Sequence, residues 1–460
     1  MGNKKNAWLK FDDTKKEEIF SFCEGYKKYI SDCKTERESI KKAIFLAESK
    51  GYRDLKNVIS AGKSLKAGDK VYYNNMDKSL ALFLIGSESI ESGMRIIGSH
   101  VDSPRLDLKP NPLYEDSELS LMETHYYGGV KKYQWVTIPL ALHGVVVKKD
   151  GTKIDVVVGE EETDPVVMVS DLLVHLASEQ QQKKATEVIA GEDLNILVGS
   201  MPLEVEEKEA VKANILKLLK EKYDFEEEDF MSAEIEIVPA GKARDLGLDR
   251  SMVAGYGHDD RICAYTSLLA LLETESTKKT SVVLLVDKEE VGSIGATGMQ
   301  SRFFENAVAE LMDRVGEYSE LKLRRALANS KMLSSDVTAA FDPNYAGAYE
   351  KKNSAFFGKG LAFAKYTGAR GKSGCNDANA EFVAWLRNVM DENDVAYQMA
   401  ELGKVDQGGG GTIAYILAEY GMEVIDCGVA LQNMHAPWEV ASKVDIFETM
   451  RGYKAFLMAE

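Results

Sequence analysis

The hydrophobic positions along the chain follow two periods, and these predict helices and strands in turn. Near the N-terminus, apolar residues recur at helical spacing among lysines and glutamates, which predicts helix over residues 14–50. Short apolar runs further on predict a strand at Ser79–Gly86 and buried strands at Met94–Asp102 and at Val282–Val286. Because strands and helices alternate in this way, we predict an α/β fold built on a mainly parallel, doubly wound sheet.

The pattern changes in the middle of the chain. Residues 145–159 have the alternation of a β-hairpin with an Asp-Gly turn, and residues 170–179 are predicted to form a short capped helix. At 460 residues, the chain is also longer than a single hydrophobic core usually accommodates, so two domains are expected. We therefore predict a discontinuous domain formed by residues 1–106 and 246–460, with an inserted β-rich domain over residues 107–245.

The alternation of helices and strands resumes after this middle part, so the chain returns to the first domain. Helix is predicted from Asp259, and the strand that follows leads into the adjacent pair Glu289-Glu290. The later predicted elements are a helix over Arg302–Ala328, a strand over Met332–Asp342, a helix over Glu381–Met390, a glycine loop over Gly408–Gly411, a helix over Thr412–Tyr420 and a strand from Glu423.

Charge and composition narrow the possible partners. The formal net charge is −17 and no dense run of lysine and arginine occurs, which argues against a nucleic-acid or anionic-membrane partner. No apolar run approaches the roughly 20 residues of a membrane span. The five cysteines are dispersed and contain no CxxC pair. This usage is typical of free thiols in a reducing compartment, so we expect a cytoplasmic protein.

Side chains of the metal-ligand type lie at or near the ends of four predicted strands, and one more opens a helix. These residues are His100, the pair Glu289-Glu290, Asp336, His435 and, at the helix start, Asp259. In open α/β sheets, ligands bind outside the carboxyl ends of the strands, so we expect these groups to lie close together. Two histidines with several carboxylates suit Zn²⁺, and Mn²⁺ or Co²⁺ accept similar ligands.

The number of candidate ligands is informative. One catalytic zinc needs three protein ligands and a water. Two histidines, two aspartates and one glutamate supply two such sites only if one carboxylate bridges, which indicates a pair of metals about 3.5–4 Å apart. One glutamate of the pair Glu289-Glu290 is then left over and is a candidate general base.

Five short motifs, in this order along the chain, resemble the aspartyl aminopeptidase family, a branch of the co-catalytic zinc aminopeptidases. The similarity covers nearly the whole chain, including the position of the insert. The motifs are His100-Val-Asp102-Ser-Pro-Arg-Leu, Asp259-Asp260-Arg261, Glu289-Glu290-Val-Gly, Ser335-Asp336 and Met434-His435.

The resemblance implies a role for each candidate ligand. One metal would be held by His100, Asp259 and Asp336. The other would be held by Asp259, Glu290 and His435. Whether Asp259 or Asp260 is the bridge stays open, although the register of the following helix favours Asp259.

The resemblance also implies the groups that act beside the metals. Glu289 would be the general base, and Asp102 would orient His100 through its second ring nitrogen. In this family the insert mediates dimerisation and caps the cleft, and a histidine that matches His175 enters a neighbouring subunit's active site. The assembly that this implies is a homododecamer built from dimers.

The residues implied in substrate binding are a lysine and a glycine loop. Lys365 would face an acidic substrate side chain, and Gly410, Gly411 and Thr412 would line the specificity pocket. The loop after Lys365 departs from the family pattern by adding Arg370 and Lys372.

The predicted function is therefore that of a metallo-aminopeptidase, a hydrolase that removes N-terminal acidic residues from peptides. Two metals would activate a shared water, and Glu289 would take its proton. One alternative is a two-metal deacylase or amidase that acts on small N-acyl compounds. Another is an assembly or cargo protein with a vestigial site, and the complete ligand set counts against it.

Overall fold

A computed structural model describes residues 5–204 and 208–460 of the chain. The chain divides into two compact units. We call residues 1–102, 243–434 and 439–460 the main unit, and residues 103–242 with 435–438 the second unit. The domain boundaries expected from the change of pattern, after residues 106 and 245, stay predictions.

Ten α-helices occur in the part of the chain that the structure describes. They are α1 (Asp13–Asp32), α2 (Glu36–Ser49), α3 (Leu55–Ser60), α4 (Ala210–Tyr223), α5 (His258–Leu272), α6 (Phe303–Arg314), α7 (Glu320–Ala328), α8 (Ala380–Glu392), α9 (Ala414–Ala418) and α10 (Lys443–Met458). Only α4 belongs to the second unit.

The strands of residues 5–204 and 208–460 form three sheets. In chain order they are β1 (Arg53–Asp54), β2 (Lys70–Asn75), β3 (Ser79–Leu84), β4 (Met94–His100), β5 (Arg105–Asp116), β6 (Leu119–Tyr127), β7 (Leu140–Val147), β8 (Lys153–Val158), β9 (Met168–Val169), β10 (Ile196–Gly199), β11 (Ala233–Pro239), β12 (Arg244–Leu246), β13 (Met252–Gly255), β14 (Thr280–Val286), β15 (Lys331–Ser335), β16 (Thr338–Ala339), β17 (Leu361–Ala364), β18 (Tyr397–Met399), β19 (Glu423–Gly428), β20 (Ala430–Gln432) and β21 (Glu439–Ser442).

The main unit contains a nine-stranded sheet in the order β1-β2-β3-β14-β4-β15-β19-β17-β18. Its four central strands, β14, β4, β15 and β19, run parallel to one another. The neighbouring strands β3 and β17 run antiparallel to this centre. The mixed α/β class predicted from the sequence is therefore confirmed. A five-stranded sheet in the order β12-β13-β21-β20-β16 also belongs to this unit.

Strand β3 and the central strand β14 beside it are buried on both faces of the sheet, and their alternate side chains point to opposite faces. In β3, Leu80, Leu82 and Leu84 join one hydrophobic cluster with residues of α2, α5, α8 and α10. Ala81 and Phe83 join another, with residues of α3, α6, α7 and α9. A strand buried on both faces reads as a continuous apolar run, which is why these strands stand out in the sequence.

Two predicted helices are each broken in the structure. The helix expected over residues 14–50 is α1 and α2, because Thr35 begins a new helix in which its side chain and that of Glu38 cap each other's backbone N–H groups. The helix expected over residues 302–328 is α6 and α7. Gly316 lies between them with a φ of 79°, and Ser319 caps the second helix.

Three other predicted elements differ from the structure. The helix predicted over residues 170–179 is wrong, since this stretch contains one 3₁₀ turn, Val174–Leu176, that leaves its apolar side chains exposed. The strand predicted over residues 332–342 is β15 and β16, which belong to different sheets. The helix predicted from Thr412 is only α9, because the Thr412 hydroxyl accepts the Ala414 N–H and the helix begins there.

The second unit is built on a seven-stranded sheet in the order β8-β7-β11-β5-β6-β10-β9. Its strands pair in antiparallel fashion throughout the described residues. The predicted hairpin is formed by β7 and β8, and the Lys148 N–H donates to the Thr152 carbonyl across its turn. In both described ranges, the helices are too short or too polar to cross a membrane.

Candidate metal centre

The carboxyl ends of three neighbouring strands bring candidate ligands together in the main unit. His100 is the last residue of β4, and Asp336 directly follows β15. Because β4 pairs in parallel with both β14 and β15, these strand ends meet at one edge of the sheet. β14 ends at Val286, opposite His100, and the chain then forms a 3₁₀ turn that contains Glu289 and Glu290.

The fourth contribution comes from the start of helix α5. The Asp259–Asp260 peptide bond is cis, and both residues are buried. The Asp259 N–H donates to Glu439 Oε2 at 3.0 Å. Asp260 Oδ2 accepts the backbone N–H of His100 at 3.3 Å, so this carboxylate is tied to the end of β4.

Two groups of potential ligand atoms share His100. One group contains His100, Asp260 and Asp336, and the other contains His100, Asp259 and Glu290. Within each group the ligand atoms all lie within 4.8 Å of one another. Asp259 and Asp260 therefore each take part in one group, and the choice of the bridging carboxylate stays a prediction.

The two ring nitrogens of His100 have different surroundings. Nδ1 lies 3.0 Å from the Asp102 carbonyl oxygen and 3.3 Å from Asp102 Oδ1. Nε2 lies 3.2 Å from Asp259 Oδ1, 3.8 Å from Asp336 Oδ1 and 3.8 Å from Glu289 Oε2. A proton on Nδ1 would satisfy Asp102 and leave the Nε2 lone pair directed at the carboxylates, as a metal ligand requires.

The charges at this end of the sheet are crowded. Burial and the nearby Asp336 carboxylate raise the pKa of Asp260. Burial raises the pKa of Asp336 against the opposing effect of His100, and the charges of Glu289 and Asp259 raise it further. Burial lowers the pKa of His100, but the surrounding carboxylates, Asp102 and Asp259 foremost, raise it above its ordinary value overall.

The donor set of this centre fits a divalent cation. Several buried carboxylates that face one imidazole nitrogen repel one another, and a bound cation relieves that repulsion. Nitrogen and oxygen ligands of this kind suit zinc. The residues present therefore fit the metal that the sequence predicts.

The turn that contains Glu289 and Glu290 is held by Asp102. Its two carboxylate oxygens accept the backbone N–H groups of Glu289 and Glu290, each at 3.2 Å. The sequence predicted that Asp102 orients His100, and the structure shows the contact together with this second one. One buried aspartate thus fixes both the histidine and the glutamate pair.

The same turn is anchored on its other side by Asp287. Its carboxylate accepts the Lys288 N–H at 2.8 Å and the Thr297 hydroxyl at 2.6 Å, which closes the loop that follows β14. Gly298 is required in this loop, because a Cβ there would lie 2.3 Å from the Ser293 carbonyl oxygen. Burial and the charges of Glu36 and Asp102 raise the pKa of Asp287 to about 6.

Two predicted site histidines belong to the second unit. His435 Nδ1 lies 2.9 Å from the Gly129 carbonyl oxygen. His175 is exposed on the 3₁₀ turn Val174–Leu176. Among the described residues, the two ligand groups contain neither histidine, so the roles of both stay predictions.

The predicted substrate-binding residues make contacts within the chain. Lys365 Nζ lies 2.5 Å from Asp377 Oδ1. The Gly410 N–H donates to the Thr367 carbonyl at 3.1 Å, and the Thr412 hydroxyl donates to Asp426 Oδ1 at 2.6 Å. Gly411 is exposed beside them.

Sequence reasoning missed three buried acidic residues around the centre, namely Glu439, Asp287 and Asp426. Asp426 lies within β19, where burial raises its pKa to about 7. A carboxylate within an apolar strand was a usable signal for Asp426. Glu439 and Asp287 gave no such signal, since an acidic residue beside a strand is usually solvated.

The chain is similar to known proteins over nearly its whole length. A family model described as "Aminopeptidase I zinc metalloprotease (M18)" matches residues 29–457. A protein of Clostridium acetobutylicum named "Probable M18 family aminopeptidase 1" is 66% identical over 454 residues, which cover 98% of each chain.

Solved structures agree with this match. The crystal structure of aminopeptidase I from Clostridium acetobutylicum has a TM-score of 0.93 at 63% identity, and that of an M18-family aminopeptidase from Thermotoga maritima has a TM-score of 0.95 at 45% identity. Each comparison covers 99% of both chains. A structure of the Saccharomyces cerevisiae mApe1 dodecamer has a TM-score of 0.77 at 20% identity and covers 95% of this chain and 96% of that chain, so that likeness shows the fold alone.

Proposed function

The chain belongs to the M18 family of zinc metallo-aminopeptidases, and on that premise we propose that it removes acidic N-terminal residues from peptides with two bound zinc ions. The observation that supports two ions is the pair of ligand groups that share His100. Together the groups contain five different residues, more than the three protein ligands that one catalytic zinc uses, and His100 counts for only one ion because it has one ring nitrogen facing the carboxylates. Membership of the family makes the chain an aminopeptidase and a hydrolase; the number of ions and the preferred residue are the proposal.

The proposed ligands follow the two groups. His100, Asp336 and one of Asp259 and Asp260 hold the first ion. Asp259 and Glu290 hold the second, with His435 as the further ligand assigned from the sequence. Zinc bound here would supply Lewis acidity, which lowers the pKa of water and polarises a peptide carbonyl.

Glu289 acts as the general base in this proposal. Its carboxylate lies 3.8 Å from His100 Nε2, and its side chain is 15% exposed. A carboxylate in that position can take a proton from the attacking water and return it to the leaving amine. Asp102 holds the backbone of Glu289 in place, so the base and the histidine ligand keep a fixed relation.

The proposal extends to domain roles and to assembly. We assign the sheet of the main unit to a doubly wound catalytic domain and the second unit to an inserted dimerisation domain. Four apolar side chains around His175, those of Leu172, Leu173, Val174 and Leu176, are 46–68% exposed. An exposed apolar patch of this kind is typical of a protein interface.

We propose that copies of the chain associate through this patch, as the family arrangement implies. In that arrangement His175 enters a neighbouring active site, where it would help to stabilise the developing oxyanion. The solved mApe1 assembly is described as a dodecamer, and we propose a homododecamer built from dimers for this chain. Replacing Val174 with aspartate is expected to reduce the particle mass measured by light scattering. A mass equal to that of the unmodified protein would contradict the role of the patch.

We also place the protein in the cytoplasm, since its five cysteines form no disulfide and four of them are buried. Fractionation of cells that produce the protein would test this location. Enrichment outside the cytoplasm would contradict it.

One experiment tests the proposed activity. Zinc-loaded protein is assayed with aminoacyl substrates that share one leaving group and carry Asp, Glu, Leu or Lys, together with N-acyl amino acids. We expect the highest kcat/KM for Asp or Glu and no cleavage of the N-acyl compounds. A preference for N-acyl compounds would favour a deacylase, and equal rates on all aminoacyl substrates would contradict the acidic preference.

A further inference from the structure

The lysine proposed to recognise acidic substrates already has an acidic partner. Lys365 directly follows β17, and its Nζ lies 2.5 Å from Asp377 Oδ1. The other oxygen of the same carboxylate, Oδ2, accepts a hydrogen bond from Lys372 Nζ at 2.8 Å. One aspartate therefore bridges two lysines, and the three residues together keep one net positive charge.

The second lysine of this group is held more firmly than the first. Its ammonium lies 3.8 Å from the centre of the Tyr366 ring, in a cation–π contact. The Tyr366 hydroxyl donates in turn to Glu401 Oε1. The two lysines are similarly exposed, at 42% and 44%, but Lys372 makes this ring contact in addition to its bond to Asp377, whereas Lys365 can donate to a further carboxylate through its ammonium N–H groups.

The bridged lysines lie beside the glycine loop that is proposed to line the specificity pocket. The Gly410 N–H donates to the Thr367 carbonyl, and a Cβ on Gly409 would lie within 2.7 Å of Ala369 atoms. The two loops are therefore in direct contact within the main unit. A substrate side chain that enters this region meets Lys365 and Asp377 together.

We propose that Asp377 is a specificity-determining residue that competes with an acidic substrate side chain for Lys365 and thereby limits the preference for N-terminal Asp and Glu. This inference rests on the proposed function, because Lys365 must face the substrate. Two carboxylates close to one ammonium repel each other, so the Asp377 charge disfavours an acidic side chain and favours a neutral or basic one.

The Asp377 carboxylate is ionised under the conditions of such an assay. The hydrogen bonds from Lys365 and Lys372 lower its pKa below the ordinary value for aspartate. Its negative charge therefore persists throughout the neutral range. Asp377→Asn removes that charge and keeps the size and an amide oxygen that can still accept a hydrogen bond.

The test measures kcat/KM of the zinc-loaded enzyme for Asp, Glu, Leu and Lys substrates with one leaving group. In Asp377→Asn we expect the ratio of kcat/KM for acidic substrates to kcat/KM for the Leu substrate to rise about fivefold, which corresponds to the energy of an exposed ion pair. The ratio of kcat/KM for the Lys substrate to that for the Leu substrate should fall. Adding Lys365→Met to this variant is expected to abolish the rise. Activity on the Leu substrate reports folding, and Asp377→Ala serves as a second variant.

The matched control is Glu381→Gln, which removes one exposed negative charge from the first turn of α8, four residues along the chain. Its selectivity is expected to equal that of the unmodified enzyme. An active Asp377→Asn enzyme with an unchanged or lower acidic-to-Leu ratio, or a Glu381→Gln enzyme with the same rise, would overturn the inference alone. An unmodified enzyme that cleaves none of the four substrates would overturn the proposed function, and this inference with it.

Discussion

The metal centre and the Lys365–Asp377 loop both gather opposite charges in the main unit, but they differ in burial. At the centre, the His100 side chain is 2% exposed and that of Asp102 is fully buried. In the loop, Lys365 is 42% exposed and Asp377 is 41% exposed. The same kinds of charged group are therefore largely buried at the centre and exposed to solvent in the loop.

This difference determines what each region can do. A buried charge without its partner costs several kcal/mol, so the geometry of the centre is held by several contacts on each group. An exposed pair contributes only about 0–1 kcal/mol and exchanges partners easily. The buried region is suited to chemistry that needs one arrangement, and the exposed loop is suited to choosing among substrates.

Metal removal should have the largest effect, since it acts on the buried region as a whole. We expect treatment with a chelator to reduce turnover to below about 1% of its starting value, because a bound cation supplies several kcal/mol of transition-state stabilisation. The unfolding temperature should fall as well, because the crowded carboxylates lose the cation that stabilises the folded state.

Added zinc should restore both the turnover rate and the unfolding temperature. The rate is measured by the activity assay, and the unfolding temperature by scanning calorimetry of the same sample. A chelated protein with unchanged turnover and bound zinc below one ion per ten chains would show that the centre does not need metal. The comparison between the two regions would then lose its basis.

Replacing the proposed base is expected to have the next largest effect. Glu289→Gln keeps the size of the side chain but removes the group that accepts the proton, so kcat should fall about 10²- to 10⁴-fold. The zinc content, measured by mass spectrometry of the metal, should stay the same because Glu289 is not a proposed ligand. Loss of one zinc ion per chain would instead identify Glu289 as a ligand.

Replacing the aspartate that holds the centre should have an intermediate effect. Asp102→Asn leaves one oxygen to accept two backbone N–H groups and removes the charge beside His100 Nδ1. We expect kcat/KM to fall about 10- to 100-fold, in the range for residues that orient metal ligands.

A suitable control for that variant is Asp249→Asn. Asp249 is an exposed turn residue whose carboxylate accepts the Ser251 N–H, a bond that asparagine can also make. Its kcat/KM should match that of the unmodified enzyme. Equal losses in both variants would mean that Asp102 acts only through general stability.

The fold was predictable where burial leaves a clear pattern of hydrophobic residues in the sequence. Strands β4 and β14 are buried on both faces, and the apolar runs within them, Ile96-Ile97 and Val282–Val286, stand out in the sequence. The break at Gly316 was missed because helical periodicity continues on both sides of it. The helix expected at residues 170–179 was wrong because its apolar residues are exposed, and the pattern alone cannot show whether another surface covers them.

The site was predictable to the extent that strand ends converge. Polar residues that end parallel strands indicate one edge of a sheet, and this brought His100 and Asp336 to the same place. The participation of Asp260 depends on the backbone at the start of α5, which composition does not reveal. The bridge from Lys365 to Asp377 depends on how a loop closes across twelve residues.

Ionic strength should have the smallest effect, and it should act on only one of the two regions. Raising the salt concentration from 0.1 M to 1 M shortens the screening length from about 10 Å to about 3 Å. The exposed Lys365 should then attract an acidic side chain less, so the ratio of kcat/KM for acidic and Leu substrates should fall about two- to threefold. The buried centre is shielded from salt, so turnover of the Leu substrate and the zinc content should change little. Substituting sodium sulfate at equal ionic strength would separate screening from specific chloride binding. A fall in Leu turnover as large as the fall in the ratio would mean that salt reaches the buried centre too, and that the division between chemistry and selection does not follow burial.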